Sequence, residues 1–202
     1  MADGILIIIS GPSGVGKGTV CRYLLKLKAA LKLSVSTTTR PPRPGEKEGK
    51  EYNFTTTSHF KELIDDDSFL EWAVVHDHYY GTRREAVKTL LARGKDLILE
   101  IDIQGADQVR KKVHDAVYIF LAPPSMSILE QRITGRGTED PSRIESRLET
   151  ARREMEAYHL YDYIVVNDTV EDAAGLISSI IDAERCKVSR GARPPGQGGE
   201  NN

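Results

Sequence analysis

One stretch, Gly11-Pro-Ser-Gly-Val-Gly-Lys17-Gly-Thr19, constrains this chain more than any other. Five apolar residues, Ile5–Ile9, run into it, and Val20, Leu24, Leu27 and Leu31 follow at helical spacing. A buried strand that turns through glycines into a helix, with a lysine at the turn's end, is the setting of a phosphate-binding loop. The glycines let the backbone curl so that several N–H groups point inward, and the helix N-terminus adds partial positive charge. Lys17 brings a full charge for β- and γ-phosphates. Gly11, Pro12, Ser13, Gly14, Val15, Gly16, Lys17, Gly18 and Thr19 are therefore the candidate nucleotide-binding residues. The residue after Lys17 is Gly18, not Ser or Thr, so the nearest hydroxyl for magnesium stands one place later, at Thr19.

The same alternation runs on through the chain. Helix is expected over 17–30, and buried strands over Leu97–Asp102, Ala116–Leu121 and Tyr163–Val166. Pro123 and Pro124 stop the third of these four strands, counting Ile5–Ser10 as the first. A last helix spans about Val170 to Cys186, with Thr169 as its cap and Asp172 three residues on. Strands alternating with helices imply an α/β fold: a P-loop NTPase-type parallel sheet flanked by helices. Two stretches break the pattern. Residues 37–93 are polar and too long for a loop, with strands expected at Glu51–Thr55 and Phe69–Val75, so they read as an inserted subdomain. Thr134–Ser142 is a Gly-rich polar hinge in which Asp140-Pro141 suits a cap and a first helical residue. The core then comprises 1–36 and 94–186, and 187–202, rich in Gly, Pro, Arg and Asn, is expected to be a disordered tail.

Composition removes several function classes. Of 202 residues, 39% are hydrophobic and 29% charged, which excludes wholesale disorder. Lys+Arg of 28 against Asp+Glu of 30 leaves a net charge of −2, so there is no global positive field for nucleic acid. The longest apolar run is far short of the ~20 residues a membrane-spanning helix requires. Asp3 stands where a secretory leader would carry positive charge. Cys21 and Cys186 lack CxxC spacing, so neither a disulfide framework nor a zinc site is expected. A cytoplasmic protein is the expectation, with no nucleic-acid or membrane partner and an oligomeric state left open.

Acidic and basic residues supply the remaining chemistry. Leu97-Ile-Leu-Glu100-Ile-Asp102 is a hydrophobic strand ending in two carboxylates. Ligands of parallel sheets sit beyond the carboxyl ends of strands, so Glu100 and Asp102 are expected to face the loop's crevice and to hold magnesium-bound water or a ribose hydroxyl. From Arg132 to Arg153 there are six arginines and no lysine, and Arg40 and Arg43 bracket a proline turn. Arginine's planar fork grips phosphate oxygens, and phosphoryl transfer is mostly positioning plus charge neutralisation. The alternative for Arg143, Arg152 and Arg153 is a solvated helix face. His76-Asp77-His78 reads as a polar strand end before it reads as a metal site.

The loop and Ser34-Val-Ser-Thr-Thr-Thr-Arg40-Pro-Pro-Arg43-Pro-Gly45 together resemble the guanylate kinases. So do Gly49-Lys-Glu-Tyr52-Asn-Phe54, Phe69-Leu-Glu71-Trp72-Ala73, Tyr79-Tyr80-Gly81-Thr82, Leu99-Glu-Ile-Asp-Ile-Gln-Gly105, Gly135-Arg-Gly-Thr138 and Val166-Asn167-Asp168. The motifs stand in order over about Ile5 to Ala183. The resemblance implies a three-part enzyme: a core, a GMP-binding insertion at 37–93 and a lid at about 125–147. It implies transfer of the ATP γ-phosphoryl group to GMP, and to dGMP, with Mg²⁺ at Thr19 and Asp102. Ser36, Arg40, Arg43, Tyr52, Glu71, Tyr80 and Thr82 would hold GMP together with Glu100 and Asp102. Lys17, Arg40, Arg136 and Arg147 would be catalytic, and Arg132 and Asn167 would lie near the adenine of ATP. Gly18-Thr19 departs from the family and looks more like the loop of adenylate kinases. Residue chemistry supports the base assignment. Guanine shows two adjacent donors that one carboxylate can accept, whereas adenine would leave a buried Glu71 unpaired. The competing class is a non-catalytic guanylate-kinase-like interaction module; such modules lack a working phosphate loop, and Lys17 and its glycines are intact here.

Overall fold

The computed structural model describes residues 3–75, 77–134 and 141–192, the side chains of 141–143 excepted. The chain opens with β1 (Leu6–Ser10), α1 (Lys17–Leu27) and β2 (Lys32–Leu33). Next come β3 (Thr37–Thr38), β4 (Asn53–Phe54), α2 (Thr57–Asp65), β5 (Phe69–Val75), β6 (His78–Arg83) and α3 (Arg84–Ala92). The remainder is β7 (Leu97–Glu100), α4 (Ile103–Lys112), β8 (Val117–Ala122), α5 (Met126–Thr134), α6 (Pro141–Met155), β9 (Tyr163–Val166) and α7 (Val170–Arg185).

A five-stranded sheet in the order β2-β7-β1-β8-β9 is parallel at every pairing. Period-2 alternation on its central strand explains why both faces are covered. Ile7 and Ile9 point into a core with Val20, Leu24 and Ile177, the faces of α1 and α7. Leu6 and Ile8 point the other way, into a core with Val87, Val109 and Ala106, the faces of α3 and α4. Each such side chain removed from water contributes about 1.5–3 kcal/mol. The layers are held at their lower edge by Asp96, whose Oδ1 accepts from Ile5 N–H at 2.9 Å while Oδ2 accepts from Arg185 Nε at 2.9 Å.

A second sheet, β4-β3-β6-β5, is formed by residues between β2 and α3 and is mostly antiparallel. Phe60 of α2 stacks on Phe69 of β5 with ring centroids 4.4 Å apart, giving this sheet a core of its own. Thr56 caps α2, its Oγ1 accepting from His59 N–H at 3.2 Å.

Several expected boundaries shift. α1 ends at Leu27, short of 30, because Lys28 turns extended at φ −124° once its N–H has bonded Leu24 O. The strand expected through Asp102 stops at Glu100; Asp102 instead caps α4, its Oδ1 accepting from Gly105 N–H at 2.7 Å. Glu51–Thr55 contracts to the two residues of β4. Strand β6 has no clean apolar alternation and was not expected from the sequence; it pairs with β5 across a turn at Asp77, where φ is 64°. Thr169 caps α7 as expected, accepting from Asp172 N–H at 3.1 Å. Within the segment read as a tail, Val188–Arg190 forms a 3-10 turn, pinned by Arg190 Nε donating to buried Glu184 at 3.0 Å. Residues 193–202 and most of the Gly-rich hinge, 135–140, lie outside the described residues.

Candidate active site

Gly16 sits at the N-cap of α1 with φ 98°, and a Cβ there would stand 2.8 Å from Asn167 Nδ2, so only glycine suits the position. The loop closes on its own lysine: Lys17 Nζ donates to Gly11 O at 2.6 Å and Pro12 O at 3.2 Å. Burial pushes the ammonium's pKa down, and the carboxylates of Glu154, Glu100 and Asp102 oppose that push. These groups surround a cavity of about 490 Å³ lined by Ser13, Gly14, Gly16, Lys17, Gly18, Thr19, Arg22, Glu100, Asp102 and Glu154. Gly18 has a local reason: a Cβ there would approach Glu100 Oε1 to 3.1 Å and Arg22 Nη1 to 3.3 Å. The Thr19 hydroxyl accepts from Arg22 Nη2 at 3.3 Å.

A neighbouring cavity of about 250 Å³ shares Lys17, Glu100 and Asp102 with the first and adds Ser36, Tyr52, Glu71, Ala73, Val75, Tyr80, Gly81 and Ile101. Glu71 lies on β5 directly across from Thr82 of β6, 6% exposed, with Oε1 accepting from the Thr82 hydroxyl at 2.5 Å. Burial pushes its pKa up to about 7, against the Thr82 bond and with Asp102 adding to the rise. Gly105 leaves room for this carboxylate, since a Cβ there would stand 3.1 Å from Glu71 Oε2. Glu100's pKa is also raised by desolvation, with Lys17 and Arg22 opposing.

At the cavity's rim, Arg40 Nε donates to Tyr80 Oη at 3.1 Å, and the guanidinium stands 5.3 Å from the centre of the Tyr52 ring. Its Nη2 meets both oxygens of Glu46, at 2.8 and 3.0 Å, and Glu46 also accepts the Arg43 N–H at 2.8 Å. The arginine bond holds Glu46's carboxyl below the usual range. Arg40, Tyr52 and Tyr80 are thus brought together, while the Arg43 side chain stays exposed beside them.

On the far side of the loop, a cavity of about 450 Å³ is lined by Gly14, Val15, Gly16, Thr19, Gln131, Arg132, Asn167, Asp168 and Val170. Asn167 Nδ2 donates to Val15 O at 2.7 Å, and its Oδ1 is buried without a partner. Arg132 spends its fork on backbone, donating to Asn167 O at 3.0 Å and Val15 O at 3.4 Å. Arg147 of α6 reaches Ser13 Oγ at 3.4 Å. Arg136 lies outside the described residues. Three residues at the site escaped sequence reasoning: Glu154, Glu46 and Arg22. Glu154 stands seven residues after Arg147, two helical turns along one face, which is the signal that was available for it.

The guanylate kinase family model matches residues 4–184. A guanylate kinase of Caldanaerobacter subterraneus subsp. tengcongensis is 51% identical over 188 residues, 93% of this chain and 91% of that one. The chain belongs to the guanylate kinase family. A guanylate kinase of Clostridium perfringens is 50% identical over 187 residues, 93% of this chain and 87% of its own length. The crystal structure of guanylate kinase from Anaplasma phagocytophilum superposes with a TM-score of 0.75 at 34% identity, covering 94% of this chain and 90% of that one. Among the described residues no helix is long and apolar enough to cross a membrane.

Proposed function

We propose that the joined cavities around Lys17 carry the family's reaction, ATP + GMP to ADP + GDP, with ATP on the loop side and GMP on the Glu71 side. The enzyme is a nucleotide-binding transferase, and dGMP fits the same reading because the base and phosphate contacts are unchanged without the 2′-hydroxyl. One observation carries the assignment: the two cavities share Lys17, Glu100 and Asp102, so two phosphorylated ligands placed in them meet at one lysine.

Each group has a role in this reading. Glu71, with Ser36 and Thr82 beside it, accepts guanine's N1–H and 2-amino donors. Arg40, Arg43, Tyr52 and Tyr80 take the GMP phosphate, which requires Arg40 to exchange part of its Glu46 pairing for phosphate oxygens. Asn167 offers its unpaired Oδ1 to adenine's amino group, while Arg132 holds the wall of that cavity through Val15 and Asn167. Lys17, Arg147 and Arg136 neutralise charge on the transferring group. GMP's phosphate oxygens are already ionised, so no strong general base and no covalent nucleophile is needed.

Hard-oxygen donors suit Mg²⁺: the Thr19 hydroxyl and the Asp102 and Glu100 carboxylates line one cavity with Lys17. No group of three or more His, Cys, Asp or Glu capable of holding a metal occurs among the described residues, so in this reading the ion would be bound largely through phosphates and water. Thr19 and Asp102 would hold it, Asp102 through water because its Oδ1 also caps α4. The ion would neutralise charge on the phosphates. The division into a core, a GMP-binding insertion at 37–93 and a lid at 125–147 belongs to the same reading, as does a cytoplasmic location. A coupled ADP-release assay with ATP against GMP, dGMP, AMP, CMP and UMP tests it. GMP and dGMP should be turned over far faster than the rest; equal rates on all five would overturn the base assignment.

A further inference from the structure

Two side chains of helix α6 bond Ser13 of the phosphate loop. Glu154 Oε2 accepts the Ser13 backbone N–H at 3.0 Å, and Arg147 Nη2 donates to the Ser13 hydroxyl at 3.4 Å. Positions 147 and 154 are two helical turns apart on one face of α6. Between them, Leu148 and Ala151 are buried in the core that also holds Val15, Leu129 and Ile133. Apolar packing seats the helix beside the loop, but it is non-directional and leaves small slides along the helix axis inexpensive. A hydrogen bond from a backbone donor to a carboxylate is directional and removes that freedom.

A carboxylate in this cavity calls for an explanation. Glu154 lines the space into which the triphosphate is placed, where a negative charge repels the ligand. Its bond to Ser13 is one compensation; a second is that it leads the charges that oppose desolvation of Lys17.

We propose that Glu154 is a positioning residue for phosphoryl transfer: by holding the Ser13 N–H it locks α6 to the phosphate loop in the register that delivers Arg147 to the triphosphate. This rests on the assignment of Arg147 above. The functional demand is for reach and direction, and the carboxylate's charge is secondary. Glu154→Gln keeps an acceptor oxygen at the same reach, whereas Glu154→Asp keeps the charge and is one methylene too short.

The experiment measures kcat and both KM values for wild type, Glu154→Gln, Glu154→Asp, Glu154→Ala, Arg147→Ala and the Arg147→Ala/Glu154→Ala double variant. Wild-type turnover of GMP tests the broader reading by itself, so its failure is distinguishable from failure at Glu154. The Asp and Ala variants should lose about 10- to 100-fold in kcat with the KM for GMP within about twofold, the scale of a small misplacement of a reacting group. Gln should recover kcat to within about threefold of wild type. In the Arg147→Ala background, Glu154→Ala should cost less than about threefold more. An Asp variant more active than Gln would mean that charge matters and reach does not, and would overturn the proposal. So would full activity of the Ala variant, a loss carried by the KM for GMP, or additive losses in the double variant. If the Ala variant fails to fold, the Gln-to-Asp comparison alone decides.

Discussion

Glu71 is a carboxylate in a nearly dry site, its Oε1 held by the Thr82 hydroxyl, with capacity left to accept further donors. In the proposed reading, guanine's two donors supply what is missing. Glu71→Gln preserves size but places an amide donor where acceptors are needed. It should cost ~2–4 kcal/mol, or ~30- to 1000-fold in kcat/KM for GMP. The measurement is the GMP-to-AMP ratio of kcat/KM in wild type and variant, which should fall; a ratio unchanged within a factor of two would remove Glu71 from base recognition. Titration gives a second readout. With its pKa pushed up to about 7, Glu71 takes up a proton as pH falls through that value and can no longer accept from both guanine donors. The KM for GMP should therefore rise below about pH 7, and more steeply in wild type than in Glu71→Gln. Without ligand the sign for stability is the opposite. The folded pKa lies above the ordinary value of 4.5, so Glu71's contribution is full below that value and is lost as pH rises through about 7. Glu71→Gln should flatten this fall in a pH series of unfolding midpoints. Lys17→Met should abolish turnover while leaving unfolding without ligand nearly unchanged, because the ammonium bonds only loop carbonyls. A large fall in melting temperature would make Lys17 a structural residue.

At the scale of elements, the β5–β6 hairpin builds the proposed base site from cross-strand pairs. Glu71 faces Thr82 and Trp72 faces Gly81, with a register shift between Phe69 and Glu71, and Glu71 lines the cavity. Gly81 is tight: a Cβ there would stand 2.9 Å from both Glu71 O and Phe69 Cδ1. Gly81→Ala should displace β5 at a cost of about 1–3 kcal/mol and raise the KM for GMP, with ATP affinity unchanged. Isothermal titration of each nucleotide separately checks this; equal weakening of both would place the damage in the whole fold. The proposed lid is the other element at issue. Arg136→Ala should lower kcat much more than it weakens GMP binding, since a charge aimed at the transferring phosphoryl can be worth ~10³ in rate. Preserved kcat with only a raised KM would make Arg136 a substrate anchor.

Across the whole molecule, two sheets face one cleft, and the groups proposed for a single transfer stand on different elements. Arg40 and Glu71 belong to the second sheet and its flanks, Lys17 to the parallel sheet's loop, and Arg147 to α6. In-line transfer needs these groups near one another with water excluded. Binding of a bisubstrate ligand should therefore bring the second sheet toward the phosphate loop. Distance labels on α2 and α7, one helix packed on each sheet, should report a shortening; an unchanged distance distribution would count against closure.

Much of this protein was legible before any coordinates. The loop, the parallel sheet and the final helix follow from local signals: glycines and a lysine at fixed spacing, period-2 burial, and a Thr169 cap that needs only residues within one turn. Glu71 was legible as a candidate site residue as well, and the structure buries it in a cavity that Lys17 also lines. The short strands were not, since β3 and β4 are two residues long and owe their existence to partners. β6, a run of His, Tyr, Gly, Thr and Arg, is a strand because β5 and β3 flank it. Asp102 looked like a strand residue until α4 claimed its carboxylate. Glu154 and Glu46 were the furthest out of reach. A carboxylate on an arginine-rich helix reads as a solvated partner of its neighbours, and only packing shows that it spends its charge on Ser13, 141 positions earlier. Sequence by itself determined what is set by neighbours along the chain and by the chemistry of single groups. Tertiary structure decided the rest, because a hydrogen bond between distant segments depends on where the cores put them.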